Sequence, residues 1–554
     1  MSANFAGALP AIALRRGDDV ALIVQGSPGQ DDERTSWRAL AARASGLAHG
    51  LRERGVRRGD RVCVFVRPGV EWLALIYALL WLGAVPVLID PGMGRPGVAR
   101  CVARIAPRVF VGIPRAHLLR VLSPGSFRTV ELCFAAGEGV VPLTRSLAAL
   151  ARPDAGPFEP LETAPDDPAA VLFTSGSTGP AKGVPYTHGM LAAQREALTE
   201  LYAFGRDEVD LACLPLFALY ATSLEWTSVL PDLDVSRPAT CDPARIVAAI
   251  QAHGVTNSFG SPAIWRRVAP WCAARGVKLE SVRRLMIAGA SVPPRLIAAC
   301  RDLLGPQGDV HTPYGATEAL PVASISGAEV EDSTRKRTES GKGVCVGRPP
   351  SGVELCVLPI HDGPIERFDP AAVLAPDAVG ELCVKGRLVT AEYAFEPAHT
   401  AAAKIPDPRG GFWHRMGDVG YVDEVGRVWF LGRKSQRLET ARGTLLPDGL
   451  EGVFDLSEHV ARSALVGIGP RGTERPVLVV EPAAPLPRPR ALRERLATEI
   501  LRTALWHPAC AVVEGVLFRD ALPVDVRHNA KIDRGALKRW AEARAGELLP
   551  RRVP

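Results

Sequence analysis

Short apolar segments alternate with helical patterns through most of the chain. The clearest segments are runs of four or five uncharged, mostly apolar residues at 62–66, 109–113, 170–173 and 285–288. Such runs are typical of strands buried on both faces. Because strands that alternate with helices form βαβ units, the pattern predicts an α/β fold with parallel-rich sheets covered by helices.

The most apolar stretch, residues 72–89, carries no charge. It reaches the roughly 18 residues at which a membrane-spanning helix becomes a candidate. Gly83 and Pro86 interrupt it, and its composition changes from leucine-rich to β-branched before Asp90. The pattern therefore predicts a buried helix followed by a buried strand, with no integral membrane segment.

Beyond about residue 395 the pattern becomes hairpin-like. A turn at 423–426 separates two apolar segments, and a small α+β region follows, with strands at 464–468 and 477–480 and a helix near 492–505. The polar stretch 433–436, directly after a strand, is the predicted domain boundary. We therefore expect an N-terminal domain over 1–432 and a small C-terminal domain over 433–554.

Composition and charge favour a large globular protein without a nucleic-acid partner. The 554 residues are 47% apolar and 23% charged, with a net charge of +6, and arginines outnumber lysines by 57 to 9. This usage is typical of codon bias rather than of a nucleic-acid footprint, which clusters basic residues along one face with interleaved aromatics. The 11 cysteines show no C-x-x-C spacing, and the first residues lack a signal-peptide pattern. A reduced, cytoplasmic protein is expected.

The segment 171–189 carries the strongest chemical signal. A predicted buried strand leads into Thr174, Ser175, Gly176, Ser177, Thr178 and Gly179, and Lys182, the first lysine of the chain, follows. Hydroxyls and backbone N–H groups in such a loop can surround phosphate oxygens, and the lysine adds a cation. Two residues separate glycine from lysine, so this is not a Walker A loop. The alternative is a flexible linker, but a linker does not follow a buried strand. We predict a phosphate-binding loop.

Four further motifs follow in order: Tyr314-Gly315-Ala316-Thr317-Glu318, Gly417-Asp418, Gly432-Arg433 and Asn529-Ala530-Lys531-Ile532. Each is weak alone, since an Asp after Gly is usually a turn and a C-terminal Lys usually a solvated charge. In this order and spacing, the set resembles the acyl-adenylate-forming superfamily over about residues 35–540. The resemblance implies a large N-terminal body with a β-rich subdomain, a mobile C-terminal domain, and ATP with Mg2+ at their junction.

The same resemblance implies roles for individual residues. Glu318 is implied to hold Mg2+, Asp418 to bind the ribose hydroxyls, and Arg433 to lie by the ribose and phosphates. Lys531, Thr317 and Glu318 form the implied catalytic set. The implied ATP contacts beyond the phosphate loop are Gly289, Ala290, Tyr314, Gly315, Asp418 and Arg433.

Three stretches depart from the acyl-CoA ligase pattern. Ser435 stands at the hinge where those enzymes carry Asp or Lys, and Glu439 stands where a lysine lines the thiol tunnel. Ala218 replaces a common histidine, and residues 524–531 replace a Ser/Thr-Gly-Lys ending. Together with His-Arg-Met-Gly-Asp at 414–418, these stretches resemble the β-lactone synthetases of long-chain olefin biosynthesis. That branch implies a 2-alkyl-3-hydroxy fatty acid whose own 3-hydroxyl captures the activated carboxyl, giving a β-lactone and AMP.

The acyl pocket is expected to draw on Phe217, Ala218, Tyr220, Trp226, Ser261 and the strand end at 288–290. For the aromatic residues, ordinary core packing is an equal alternative. His311 and His528 are candidates for the base that takes the hydroxyl proton. For each, a structural histidine bonded to the backbone is the alternative.

The sequence is compatible with three functions to different degrees. β-Lactone formation is favoured by the altered hinge, Ala218 and the 524–531 ending. An acyl-CoA or acyl-carrier-protein ligase would use the same acyl-adenylate, but Glu439 argues against it. A non-catalytic nucleotide or nucleic-acid binder is disfavoured because the chain carries the full set of implied ATP-site residues. The expected partner is a long-chain hydroxy acid, and assembly with other enzymes of the same pathway is left open.

Overall fold

The computed structural model of the chain describes residues 3–139, 141–174, 181–524 and 532–550. Within these ranges the chain forms two large parallel-rich sheets, an antiparallel sheet and two smaller C-terminal sheets. The predicted α/β class is confirmed.

The first large sheet comes from the N-terminal third of the chain. Its strands lie in the spatial order Arg145–Ser146, Leu132–Ala135, Val109–Gly112, Arg61–Phe65, Val85–Leu88, Pro168–Phe173 and Gly183–Thr187. All neighbours are parallel except the last pair, which is antiparallel and flanks the predicted phosphate loop. The strands predicted at 62–66, 109–113 and 170–173 are confirmed, with ends shifted by at most two residues.

The second large sheet follows the same plan. Its strands lie in the spatial order Ala319–Ser326, Asp309–Ala316, Arg284–Ile287, Asn257–Gly260, Val209–Ala212, Thr227–Leu230, Val20–Val24 and Glu33–Ser36. Interior neighbours are parallel and the two edge pairs are antiparallel. The strand predicted at 285–288 is confirmed one residue earlier.

α-Helices connect the strands of both sheets. In the described ranges of the body they are Leu9–Arg15, Trp37–Glu53, Val70–Trp81, Gly94–Ile105, Pro114–Leu122, His188–Tyr202, Leu216–Ser223, Pro243–His253, Pro262–Ala273, Pro294–Arg301, Gly327–Glu329, Arg335–Glu339 and Pro397–Ala403. Short 3-10 turns lie at Pro91–Met93, Pro124–Phe127, Ala148–Leu150, Pro153–Ala155, Pro238–Thr240 and Pro370–Ala372, and a π turn at Val330–Thr334. One start follows directly from sequence: the Asp242 carboxylate accepts a hydrogen bond from the Ala244 N–H.

The uncharged run at 72–89 contains the helix Val70–Trp81 and the strand Val85–Leu88, as predicted. Every residue of that helix except Glu71 is buried in the protein. The apolar character of the run therefore follows from its place in the core. Within the described ranges, no helix combines the length and apolar character needed to cross a bilayer.

The antiparallel sheet follows. Its main path is Val344–Gly347, Val428–Arg433, Phe412–Val422, Gly380–Gly386 and Val353–Leu358, and Lys404–Pro406 pairs with Phe412–Val422. The predicted hairpin turn at 423–426 joins Phe412–Val422 to Val428–Arg433.

The C-terminal residues form a smaller α+β unit. Its sheets contain Leu438–Thr440 with Gly443–Leu445, and Val460–Ile468, Arg475–Pro482, Gly515–Phe518 and Leu549–Pro550. Its helices are Pro447–Phe454, Arg490–Thr503 and Arg534–Glu542, with 3-10 turns at Lys434–Gln436, Cys510–Val512 and Ala545–Glu547. Two apolar clusters draw all their members from 438–549. The boundary between 432 and 433 stays a prediction.

Candidate active site

The carboxyl ends of the parallel strands of both large sheets meet at one cleft of about 1860 Å³. The first sheet contributes Phe65, Leu88 and Phe173, and the second contributes Ala212 and Ile287. Open α/β sheets bind their ligands at this edge, because the strand ends present loops and backbone groups there. The cleft is therefore the candidate active site.

The two residues that flank the predicted phosphate loop lie at this cleft. Thr174 and Lys182, which bracket the loop, both line the cleft, and the Thr174 N–H donates to the Lys182 carbonyl at 3.0 Å. The Lys182 N–H donates in turn to the Thr174 hydroxyl at 3.2 Å. The predicted contacts Ser175, Gly176, Ser177, Thr178 and Gly179 lie outside the described residues.

Thr317 and Glu318 form the turn between the strands Asp309–Ala316 and Ala319–Ser326. Both line the cleft. The Thr317 carbonyl accepts a hydrogen bond from the Tyr186 hydroxyl at 2.6 Å, and the Glu318 carbonyl accepts from the Thr390 N–H at 2.9 Å. The turn is thus fixed by its backbone, and its side chains are left to face the cleft.

Tyr393 lies behind the turn, and the sequence pattern does not single it out. Its hydroxyl donates to Oε1 of Glu318 at 2.7 Å, and the Lys182 Nζ lies 4.6 Å from its ring centroid. Burial and the Glu318 charge raise the pKa of the Tyr393 hydroxyl, so it stays protonated and remains a donor. One side chain therefore connects the lysine of the phosphate loop with the implied metal carboxylate.

Asp418 and Arg433 face each other on paired strands. The Asp418 Oδ1 lies 3.0 Å from the Arg433 Nη1, and its Oδ2 accepts a hydrogen bond of 2.5 Å from the Tyr314 hydroxyl. All three side chains line the cleft. A carboxylate held from two sides in this way presents a fixed acceptor to a diol such as ribose.

A buried lysine, Lys404, interacts electrostatically with Glu318. The Lys404 Nζ donates to the Thr390 carbonyl and lies 4.9 Å from the Phe412 ring centroid. Burial lowers the pKa of Lys404 to about 7, although the Glu318 charge opposes the shift. His414 lies opposite on the paired strand, and burial together with the Lys404 charge lowers its pKa, which keeps the ring neutral.

Gly289 and Ala290 line the cleft after the strand Arg284–Ile287, and Gly315 lines it within the Tyr314 motif. Gly289 has φ of +97°, a left-handed conformation that glycine adopts without strain. A Cβ on Gly315 would lie 2.6 Å from the Ala319 carbonyl oxygen, so only glycine fits there. Their role as ATP contacts stays a prediction.

Two of the five predicted acyl-pocket residues line the cleft, and three do not. Phe217 and Ser261 line the cleft, and Phe217 stacks on Phe259 with centroids 3.7 Å apart. The buried Ser261 hydroxyl has no hydrogen-bond partner in the described part of the chain. Its oxygen is therefore available to a polar group of a ligand.

The other three predicted acyl residues, Ala218, Tyr220 and Trp226, are buried and are not among the described residues that line the cleft. The Tyr220 hydroxyl donates to Gln194, and the Trp226 indole donates to the Gly205 carbonyl at 3.2 Å. Both aromatic residues therefore follow the core-packing alternative.

Of the two candidate bases, the structure describes only His311. His311 packs edge-on against Tyr202 with ring centroids 5.1 Å apart, and the described cleft lining does not include it. The residues that follow it on the strand, Thr312 and Pro313, line the cleft. His528 lies outside the described residues.

The C-terminal unit contributes one wall of the cleft, including Asp448, Glu451, Ile532 and Arg534. Arg534 forms an ion pair with Glu451 at 2.5 Å, and burial raises the pKa of Asp448. Lys531 lies outside the described residues, but its chain neighbour Ile532 lines the cleft.

Residues at and next to the predicted hinge form ion pairs. Ser435 lies in the 3-10 turn Lys434–Gln436, and the Lys434 Nζ lies 2.8 Å from the buried Glu381. Glu439 lies 2.6 Å from Arg437. The Lys434 ammonium at the predicted hinge is therefore neutralised by Glu381. The position expected to carry a tunnel lysine carries the Glu439 carboxylate, which is paired with Arg437.

Comparisons with known proteins identify the family of the chain. The model of the AMP-binding enzyme family matches residues 9–394. The chain is 43% identical to the olefin beta-lactone synthetase of Stenotrophomonas maltophilia (strain K279a), with 98% of each chain covered. It is 41% identical to the olefin beta-lactone synthetase of Xanthomonas campestris pv. campestris, with 97% of each covered.

Among solved structures, the amide bond synthetase McbA from Marinactinospora thermotolerans has a TM-score of 0.78 at 23% identity, covering 97% of this chain and 99% of that one. That likeness shows a common fold. The family match and the full-length relatives show more: the chain belongs to the AMP-binding enzyme family and is an ATP-dependent, AMP-forming enzyme.

Proposed function

We propose that the protein adenylates the carboxylate of a 2-alkyl-3-hydroxy fatty acid and closes the 3-hydroxyl onto it, giving a β-lactone, AMP and pyrophosphate. The observation that carries the proposal is one cleft in which Lys182, Glu318 and Asp418 converge while apolar strand ends and the unpartnered Ser261 hydroxyl complete the lining. Two nearly full-length relatives named olefin beta-lactone synthetases support it.

In the first step, a carboxylate oxygen of the acid attacks the α-phosphorus of ATP, and the bond to pyrophosphate breaks. Charge on the phosphoryl oxygens is countered by the phosphate loop, Lys182 and Lys531. Asp418 and Arg433 hold the ribose end. Tyr393 positions Lys182 and Glu318 relative to each other.

The chemistry of the donor set fits Mg2+. Among the described residues, no three His, Cys, Asp or Glu side chains form a metal-binding group. Mg2+ typically binds through one or two carboxylates together with substrate phosphates, so the Glu318 carboxylate is the residue that would hold it here. The ion would supply positive charge to the phosphate oxygens.

In the second step, the 3-hydroxyl oxygen attacks the acyl carbonyl carbon, the bond to AMP breaks, and a proton is released. The mixed anhydride drives formation of the strained ring. Because the nucleophile is already part of the substrate, a cleft that folds the chain back supplies the proximity of an intramolecular attack, worth up to about 7–11 kcal/mol. Ser261, beside the acyl lining residue Phe217, is the hydroxyl we assign to orient the substrate.

The domain organisation belongs to the same proposal. Residues 1–432 would bind ATP and the acyl group, and residues 433–554 would deliver Lys531 from the opposite wall. The position of the thiol-tunnel lysine is occupied by Glu439, a carboxylate that is paired with Arg437. The lactone reaction needs no thiol, whereas an acyl-CoA or carrier-protein ligase does. We assign the protein to the cytoplasm.

The test is incubation with ATP, Mg2+ and a 2-alkyl-3-hydroxy acid without CoA, followed by mass spectrometry. We expect lactone and AMP in equal amounts. The matching acid without the 3-hydroxyl should stop at the acyl-adenylate. Acyl-CoA as the sole product when CoA is added, with no lactone in its absence, would instead establish a thioester ligase.

A further inference from the structure

One segment of the chain carries basic residues without any acidic residue. Residues 91–130 contain seven arginines and neither Asp nor Glu, although the net charge of all 554 residues is only +6. This single segment therefore accounts for the whole positive excess. The small net charge of the whole chain does not reveal this local basic surface.

Most of these arginines lack a carboxylate partner. Arg104 pairs with Glu396, and Arg108 pairs with Asp60 and Glu131. The other five form no ion pair within the described part of the chain. Arg95 and Arg115 line the cleft, which leaves Arg100, Arg120 and Arg128 outside it. Three cations without a carboxylate partner in one segment set up a potential that attracts an extended anionic surface.

The helix Pro114–Leu122 lies in the middle of this segment and exposes apolar side chains. Leu118, Val121 and Leu122 are 57%, 76% and 58% exposed. The opposite face of the helix turns inward, where Ala116 and Leu119 line the cleft. Exposed aliphatic residues flanked by arginines are the composition of helices that lie in a membrane interface.

We propose that this basic helix surface, defined as the helix Pro114–Leu122 with Arg100, Arg120 and Arg128, docks the enzyme on an anionic lipid bilayer. Arginines would contact the headgroups while Leu118, Val121 and Leu122 enter the acyl boundary. The aromatic residues of the segment, Phe110 and Phe127, are buried, so the surface offers no ring for stacking on nucleic-acid bases. The bilayer is therefore favoured over RNA or DNA.

A reason for docking follows from the proposed function, on which this step alone rests. A substrate with two alkyl chains partitions into a bilayer. The helix that would face the bilayer has its other side in the cleft, next to the strand ends Phe65 and Phe173. The surface would thus place the mouth of the cleft against the source of the substrate.

The test is flotation of the full chain with vesicles of phosphatidylcholine alone or mixed with phosphatidylglycerol. We expect binding only with the anionic lipid, and weaker binding at high salt. The double variant Arg100→Ser/Arg128→Ser should bind roughly thirtyfold more weakly, since each arginine near an anionic surface contributes several-fold. The triple variant Leu118→Ser/Val121→Ser/Leu122→Ser should lose more than roughly tenfold.

The matched control is Leu14→Ser/Leu492→Ser, which alters two exposed leucines elsewhere and should bind like the unmodified chain. All variants should keep normal turnover of a short, water-soluble hydroxy acid. No flotation, equal flotation of the triple variant and the control, or binding to duplex DNA in preference to vesicles would each overturn the proposal. Because flotation requires no turnover, it is decided independently of whether a lactone forms.

Discussion

The Tyr393 hydroxyl donates a 2.7 Å hydrogen bond to the Glu318 carboxylate, while its ring supports the Lys182 ammonium at 4.6 Å. The two charged groups therefore share one support. In the proposed reaction Glu318 and Lys182 act on the same phosphate chain, so a change at Tyr393 should alter both.

Replacement of Tyr393 with Phe should lower the adenylation rate about tenfold, because a hydrogen bond to a charged group contributes about 1.5–3 kcal/mol. The variant should also need more Mg2+ for half-maximal rate, since Glu318 loses its fixed orientation. ATP–pyrophosphate exchange measured over a Mg2+ series checks both effects.

The control for that variant is Tyr202→Phe. Tyr202 is buried like Tyr393, but its hydroxyl bonds Ser324 at 3.1 Å, and it is not among the described residues that line the cleft. Its loss should leave the Mg2+ dependence unchanged. An equal shift in both variants would mean that Tyr393 acts only through stability.

Replacement of Asp418 with Asn should raise the KM for ATP about tenfold or more, with a smaller effect on the KM for the acid. The charge that orders the Tyr314 and Arg433 side chains is removed, and a charged acceptor is lost from the ribose site. Tyr314→Phe, which removes one of the two groups holding Asp418, should show an intermediate KM for ATP. A selective rise in the KM for the acid would contradict the assignment of Asp418 to the nucleotide.

The buried Lys404 should make stability depend on pH. Its pKa is about 7 in the folded protein and near 10.5 in the unfolded chain, so between these values the unfolded state binds more protons. The free-energy cost of burying the charged lysine therefore lowers the stability of the folded state at neutral pH. This cost falls as pH rises toward 10. Lys404→Met should be more stable than the unmodified chain by about 1–3 kcal/mol at pH 7.

That advantage should shrink as pH approaches 10, because the unmodified lysine then folds without a charge. Chemical denaturation of both proteins at pH 7 and pH 10 measures the difference directly. A difference that is constant across this range would show that Lys404 stays protonated when buried.

The hinge is the site of a further prediction. The buried Glu381 lies 2.6 Å from Arg415 and 2.8 Å from Lys434. Glu381→Gln leaves two cations without their shared carboxylate and should destabilise the protein by about 3 kcal/mol. Glu439→Gln, which alters the partly exposed pair with Arg437, should cost under about 1 kcal/mol. Denaturation midpoints of the two variants provide the comparison, and similar values would contradict a special role for Glu381.

Local patterns carried much of the fold. The helix Val70–Trp81 and the strand Val85–Leu88 follow from a change in side-chain shape within one apolar run. The helix predicted near 492–505 is observed as Arg490–Thr503. Such elements are predictable because their periodicity is set by neighbours in sequence.

Contacts between residues that are far apart in the sequence could not be predicted in this way. Tyr393 and Glu318 are 75 residues apart, and neither the tyrosine nor Lys404 belongs to a motif with its own signature. For Tyr220 and Trp226 the type of residue fits both a pocket and a core, and only the fold decides between them. The basic helix surface was hidden for another reason: whole-chain averages combine it with acidic regions elsewhere.

An oxygen isotope label shows which group of the substrate is activated in the proposed reaction. A 2-alkyl-3-hydroxy acid labelled with 18O in both carboxylate oxygens would be converted with ATP and Mg2+ in the absence of CoA. We predict that AMP carries one labelled oxygen and the β-lactone keeps the other in its carbonyl, with the ring oxygen coming from the unlabelled 3-hydroxyl. Unlabelled AMP together with a lactone that keeps both labelled oxygens would show that the hydroxyl, not the carboxylate, is activated, and would contradict adenylation of the acid.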